Sequence, residues 1–269
     1  MAKPDNVSVR QRQYLRRERR YARRVRWCQA GILVVFFALW ELAGRLGWID
    51  PFIFSGPSRI WQTARALWSE GLLRHVAVTV GETLAGFSLG ALVGTGLAVL
   101  LWFSPFLSRV SEPYLVVLNS LPKIALGPVI IVIAGAGTKA IVLMALAISL
   151  IVTVLEMLGG FHRTDAELIR MARSFGAGRA QVFRYIVFPY NIPTLFGSLK
   201  INIGLSLVGV IAGEFLVSRA GLGYLIVYGG QVFRLDLVMT GVMILTAVAA
   251  LMYESVALLQ KWVMRRYGH

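Results

Sequence analysis

Residues 140–155 read AIVLMALAISLIVTVL, without one charged side chain. Extended to its flanks, Thr138 to Leu158, this stretch has the length of helix that crosses a hydrocarbon core of about 30 Å. Five more stretches on either side qualify: Trp27 to Leu46, Val76 to Phe103, Pro113 to Ala134, Ile192 to Val217 and Leu237 to Trp262. Pro122 and Pro128 interrupt the third of them. The spacing predicts an all-α, polytopic membrane protein with six transmembrane helices. Composition agrees, since 57% of the 269 residues are apolar and 15% charged. A disordered chain is excluded, and so is a soluble globule, whose surface needs more polar side chains than this. The single cysteine, Cys28, leaves no disulfide framework and no multi-cysteine metal site.

The charge sets the orientation. Ten basic residues lie before the first span (Lys3, Arg10, Arg12, Arg16, Arg17, Arg19, Arg20, Arg23, Arg24 and Arg26). Loop 2–3 adds Arg109, loop 4–5 adds Arg163, Arg170, Arg173, Arg179 and Arg184, and the tail adds Lys261, Arg265 and Arg266. Those 19 oppose seven on the other side: Arg45, Arg59, Arg65, Arg74, Lys139, Arg219 and Arg234. The positive-inside rule then puts both termini and loop 4–5 in the cytoplasm. A basic leader of 26 residues before a full-length span reads as a tail ahead of a retained helix rather than a cleaved signal. Only Tyr14, Tyr21 and Trp27 interleave with its arginines, so attraction to anionic headgroups explains it better than nucleic acid. The divisions expected are a basic tail (1–26), a six-span membrane domain (27–263) and a short tail (264–269).

Between spans 1 and 2, Asp50-Pro51-Phe52 and Ser55-Gly56-Pro57-Ser58 are turn-rich. Ser58 is expected to cap a helix running to about Arg74, with Trp61, Ala64, Leu67 and Trp68 on one interfacial face. Gly86, Gly90 and Gly94 in span 2 and Gly209 and Gly213 in span 5 form small-xxx-small rows that let helix backbones approach.

Loop 4–5, residues 162–193, reads HRTDAELIRMARSFGAGRAQVFRYIVFPYNIP and is longer than two adjacent spans require. Thr164 and Glu167 have the spacing of a capping box. A helix is expected over Asp165 to Phe175, with Gly176 as its left-handed stop, and a second over Arg179 to Val187, ending before Pro189. Leu168, Met171, Ala172 and Phe175 form an apolar stripe flanked by Arg170 and Arg173. That combination reads as a docking element for a soluble partner.

The segment resembles the coupling motif of membrane subunits in bacterial ATP-binding-cassette importers: Glu-Ala-Ala, three residues, Gly, nine residues, Ile, one residue, Leu-Pro. Gly176, Ile186 and Pro189 are in register, Phe188 stands at the Leu position and Ala172 at the last Ala. Arg170 and Met171 replace the Glu and first Ala, while Glu167 lies one turn earlier. Ser55-Gly56-Pro57-Ser58, His75 with Thr79, Gly86-Phe87, Leu121-Pro122-Lys123, Ala172 to Ala177 and Gly221-Leu222-Gly223 are similar to the nitrate/sulfonate/taurine permease group. Glu82, Gly213-Glu214-Phe215 and Gly221 to Leu225 look more like its branch for pyrimidine or riboflavin-type vitamin precursors. The resemblance implies a type I importer permease fold with a cytoplasmic coupling loop at 162–190. It also implies a second copy of the chain, a cytoplasmic ATPase dimer, an extracytoplasmic solute-binding protein and residence in a bacterial cytoplasmic membrane. Asp165, Glu167, Leu168, Arg170, Met171, Ala172, Arg173, Phe175 and Gly176 would then meet the ATPase. The chain itself has no phosphate-binding loop, so ATP and magnesium would be bound by the partner, and no cofactor is expected here.

Ionisable groups at membrane depth are costly and usually face a cavity or a partner. Glu82 and Glu214 are the leading candidates for the solute pathway, ahead of Glu41 and Glu254, which read as structural or interfacial. Lys123 and Lys200 are the basic candidates. Asn119 and Ser120, before Pro122 in the interrupted third span, are further pathway candidates. His75, His162 and His269 are too scattered for a metal or catalytic site, which argues against a membrane enzyme. A proton-coupled secondary transporter would use the glutamates but leave the docking loop without a role.

Overall fold

The computed structural model describes residues 9–267, so residues 1–8 and 268–269 of the two expected tails lie outside the described residues. Every described element is helical: α1 (Val9–Arg45), α2 (Pro51–Phe54), α3 (Pro57–Ser69), α4 (Leu72–Phe103), α5 (Pro105–Ser120), a 3-10 turn (Lys123–Leu126), α6 (Gly127–Ala134) and α7 (Thr138–His162). There follow α8 (Ala166–Ser174), α9 (Arg179–Val182), a π-turn (Phe183–Val187), α10 (Phe188–Tyr190), α11 (Ile192–Val217), α12 (Leu222–Gln231) and α13 (Leu235–Tyr267). Among the described residues five helices are long and apolar enough to cross a membrane, those of spans 1, 2, 4, 5 and 6. The third stretch is α5 and the Lys123–Ala134 pair, bent by 87° at Leu121–Pro122, so it makes a sixth crossing only as a broken one.

The prolines of that stretch act differently from expectation. Pro113 lies inside α5, which starts eight residues earlier at Pro105. Pro128 breaks nothing, because it occupies the first turn of α6, where no intrahelical donor is needed. Only Pro122 falls at the bend.

α7 is the central helix because two glycine rows clear its flanks. A Cβ on Gly86 would lie 2.5 Å from Ala145 Cβ, one on Gly94 would lie 2.6 Å from Thr153 Cβ, and one on Gly90 would run into Ser149. On the other flank a Cβ on Gly209 would lie 2.6 Å from Ala145 Cα. Ala145 is therefore held between α4 and α11, both at backbone contact. In lipid, where apolar burial does not drive helices together, such close packing supplies the attraction. Ile141, Ala145 and Val210 form the small core there. Toward one end Leu67, Leu72, Leu222 and Leu237 pack together, and toward the other Leu101, Val154, Met157, Phe161, Val182 and Val187 do. Among the described residues α1 packs mainly on α2 and α3, and its apolar face from Ile32 to Leu39 is largely exposed.

Two local readings are corrected at α3. Its N-cap is Gly56, not Ser58, because the Glu41 carboxylate of α1 takes that role: Ser58 N–H and Oγ both donate to it, at 3.1 and 2.9 Å. The helix also stops at Ser69, and Gly71 (φ 99°) turns the chain into α4 at Leu72. Its packed side chains are Thr63 and Leu67, whereas Trp61 and Trp68 point outward. The tether is polar: Thr63 Oγ1 donates to Asp236 of α13 at 3.0 Å.

Candidate functional site

Two regions concentrate the candidate residues, one at each end of the bundle. At the end where α7 and α12 begin, α12 is a ten-residue helix, too short to cross. Its first backbone donors, left without intrahelical acceptors, are taken one by one by side chains of α4 and α11. Gly221 N–H donates to His75 Nδ1 (3.0 Å), Leu222 N–H to Thr79 Oγ1 (2.8 Å) and Gly223 N–H to Glu214 Oε2 (2.6 Å). The Thr79 hydroxyl closes the circuit by donating to Glu214 Oε1 at 2.6 Å. His75 and Thr79 are four residues apart and so share one face of α4, and the His75 ring stacks on Tyr224 at 5.9 Å.

Glu214 is 1% exposed, and both its oxygens accept donors beside the positive end of a helix. The glycines make room for it. Gly221 has φ 123° and a Cβ there would overlap the carboxyl group, while one on Gly223 would lie 2.8 Å from Glu214 Oε2. Glu82, one turn beyond Thr79 on α4, is also buried, and its carboxyl group faces Glu214 and Thr138 of α7. Its Oε2 has no partner. Four helices thus converge on two adjacent acidic side chains.

Asn119 and Ser120 are not brought to this cluster. They sit exposed at the C-terminal end of α5, where Ser120 Oγ donates back to Val116 O (3.0 Å) and Asn119 O receives Lys123 Nζ (2.9 Å). Glu41 caps α3, as described, and pairs with Arg45. Glu254 lies 3.9 Å from Lys261, both well exposed. Lys200 lies over the Tyr253 ring.

At the opposite end, α8 to α10 form the segment between α7 and α11. The cap of α8 is Asp165, whose carboxylate accepts Glu167 N–H at 2.8 Å. Thr164 does not cap. It is buried, and its hydroxyl accepts Asn191 Nδ2 at 2.8 Å, which ties the end of α7 to the start of α11. The competing demand that won is burial: Asn191 is itself 2% exposed and needs partners for its amide. α8 stops as expected at Gly176 (φ 83°), with Gly176 N–H bonded to Arg173 O and Ala177 N–H to Ala172 O, at 2.9 and 3.1 Å. This pair of bonds is the Schellman arrangement. The second helix does not end before Pro189. A π-turn at Phe183–Val187 precedes α10, and the wider turn accommodates a proline that would clash in a regular α-helix.

The expected apolar stripe of α8 divides in two. Leu168 and Met171 line a groove of about 290 Å³ with Tyr185, Ile186, Pro189 and Tyr190, and Phe175 is 84% exposed. Ala172 turns inward with Ile169 onto the core. Glu167 and Arg170 form a surface pair at 3.9 Å, and Arg173 lines a separate cavity on the other side of the segment. Sequence reasoning missed Arg179, which donates to Trp102 O (2.9 Å) and lies 5.4 Å over the Trp102 ring, fixing α9 to the end of α4. It also missed the roles of His75, Thr79 and Asn191. The available signal was Gly221-x-Gly223, a backbone left open for a close neighbour.

Residues 86–269 match the family of binding-protein-dependent transport system inner membrane components. A riboflavin transport system permease of Chloroflexus aurantiacus is 29% identical, covering 91% of this chain and 93% of that one. A taurine transport system permease of Escherichia coli is 24% identical, covering 91% and 94%. Among solved structures, the MetNI methionine transporter in an inward-facing conformation matches 74% of this chain and 98% of its own with a TM-score of 0.65 at 20% identity, a likeness of fold. The chain belongs to this family, as the transmembrane permease subunit of an ATP-binding-cassette importer.

Proposed function

We propose that two copies of this permease subunit form the solute passage and that the α8–α10 segment docks a separate ATP-hydrolysing subunit on the cytoplasmic side. The supporting observation is the segment's construction. It exposes Leu168, Met171 and Phe175 outward while Arg179 and the Thr164–Asn191 bond hold it to α4, α7 and α11. A partner that moves this segment must move those spans. The excess of Lys and Arg at this end supports a cytoplasmic position for it and for both termini. ATP and magnesium belong to the partner, and an external solute-binding protein delivers the solute to the opposite end, at α2, α3 and α12.

Glu82 and Glu214 lie at that delivery end, and Glu82 keeps one buried oxygen without a donor. The free oxygen of Glu82, held beside Glu214, suits a solute bearing N–H or O–H donors, of the pyrimidine or riboflavin class, and offers nothing to nitrate or a sulfonate group. Asn119 and Ser120, exposed at the bend of the broken span, are further pathway positions apart from the two acids.

The docking role is tested with Gly176→Val. A β-branched residue at φ 83° costs roughly 1–2 kcal/mol and swings α9 away from α8. At matched membrane levels the variant should insert normally, lose ATPase co-purification and lose solute-stimulated hydrolysis. Equal values in both assays would remove the segment from the coupling path. For the solute, uptake of riboflavin and of nitrate, which carries no N–H or O–H donor, is compared in vesicles holding the complete transporter, and nitrate uptake without riboflavin uptake defeats the donor argument.

A further inference from the structure

On the side of the coupling segment away from the docking groove lies a cavity of about 360 Å³ between the ends of α4 and α7, the start of α5 and the helices α8 and α9. Its charged lining is Arg109, Arg173 and Arg179, with His162 at the rim, and no acidic residue lines it. Arg179 spends one donor on Trp102 O and rests on the Trp102 ring, which leaves the rest of its guanidinium free. None of the three is in an ion pair among the described residues, although Glu112 follows Arg109 by one helical turn. Three exposed like charges line one cavity with no acidic residue among its lining, and an anion relieves their repulsion. Guanidinium forks match phosphate oxygens pairwise.

The surroundings name the source. Trp102, Phe161, Ile169 and Pro105 give the cavity an apolar wall. Directly beside it, Phe106 and Val110 of α5 are exposed, Phe106 by 78%. A soluble phosphate has no use for that surface, whereas acyl chains do. We infer that this cavity binds the phosphodiester headgroup of an anionic phospholipid, with its chains along α5 and its phosphate between Arg109 and Arg173. Basic pockets between membrane helices on the cytoplasmic side take such headgroups. The inference rests on the preceding reading only for placing this end in the cytoplasmic leaflet. A lipid seated here would touch both faces of the segment's anchor, α4 through Trp102 and α8 through Arg173, and so hold the segment in register.

The test uses the purified full-length chain in detergent, without an ATPase, so its outcome is separate from the docking proposal. Phosphatidylglycerol, phosphatidylcholine and inorganic phosphate are titrated separately, and bound molecules are counted by native mass spectrometry. Phosphatidylglycerol should bind and phosphatidylcholine should not. Arg109→Gln/Arg173→Gln should lower phosphatidylglycerol affinity roughly tenfold or more, the scale of losing a charge-assisted pair. Arg170→Gln/Arg184→Gln removes the same charge at the same end of the bundle, outside the cavity, and should leave binding unchanged. Equal losses in both pairs would mean diffuse surface attraction, and the site would fall. It would also fall if inorganic phosphate bound as well as the lipid, which would assign a free anion. Undiminished phosphatidylglycerol binding in Arg109→Gln/Arg173→Gln would remove these arginines from lipid binding and overturn the inference.

Discussion

Among the described helices that begin without a side-chain cap of their own, two borrow a glutamate from a membrane span. α3 takes Glu41 from α1, and α12 takes Glu214 from α11. The chemistry is the same: a carboxylate accepts backbone N–H groups at the positive end of a helix. The surroundings are not. Glu41 keeps 23% of its side chain exposed, pairs with Arg45, and can be replaced by water. Glu214 is sealed between Thr79, Gly221 and Gly223, where water cannot take over. An interaction's geometry does not fix its importance, because the cost of losing it depends on whether the groups left behind stay solvated.

The sharpest way to break the comparison is to fill the space around Glu214. Gly221→Val meets both a backbone at φ 123° and the carboxyl group itself, and should cost about 3 kcal/mol or more. It should appear as a large loss of thermal stability in detergent, and a melting temperature equal to wild type would mean that the glycine is not required. Next, Glu214→Ala strands Gly223 N–H and the Thr79 hydroxyl inside the protein, for roughly 2–3 kcal/mol. Glu214→Gln keeps an acceptor but must turn its amide donors toward one of the two donor groups. It should fall between wild type and Glu214→Ala; equality with Glu214→Ala would make the charge, rather than the geometry, the essential property.

The smallest effect is expected at the exposed counterpart. Glu41→Ala should cost about 1 kcal/mol, the ordinary value of a helix cap. Raising the salt concentration should shrink that difference, because an exposed pair with Arg45 is screened, while leaving the Glu214 variants unaffected. Unfolding curves of both variants at low and high salt decide it, and a shared salt dependence would erase the distinction drawn between the two sites.

Much of this was legible before any coordinates. The hydrophobic blocks gave five spans and a sixth interrupted one, since only length and apolar content are needed to read them. Gly176 was readable as a stop because a helix end followed by glycine is a local pattern, and the observed bonds at Arg173 and Ala172 are local too. Thr164 was misread for the same reason. Its local pattern fits a capping box, but a residue 27 positions away claims its hydroxyl. Pro189 was misread because nothing local announces a π-turn.

The sequence by itself determined that the chain is membrane-spanning and helical, which end carries the basic excess, and that residues 162–190 form a separate helical segment. These follow from periodicity, hydropathy and charge, all properties of neighbouring residues. Only the tertiary structure decided that α7 lies between the two glycine rows and that Glu82 and Glu214 adjoin while Asn119 and Ser120 stand apart. It alone brought His75, Thr79 and Glu214 together to complete the start of α12. Those pairings join residues up to 146 positions apart, and no local pattern encodes which of several polar side chains on a span will find a given backbone donor. The choice is made by packing, because a donor buried in an apolar core takes whichever acceptor the neighbouring helices bring within reach.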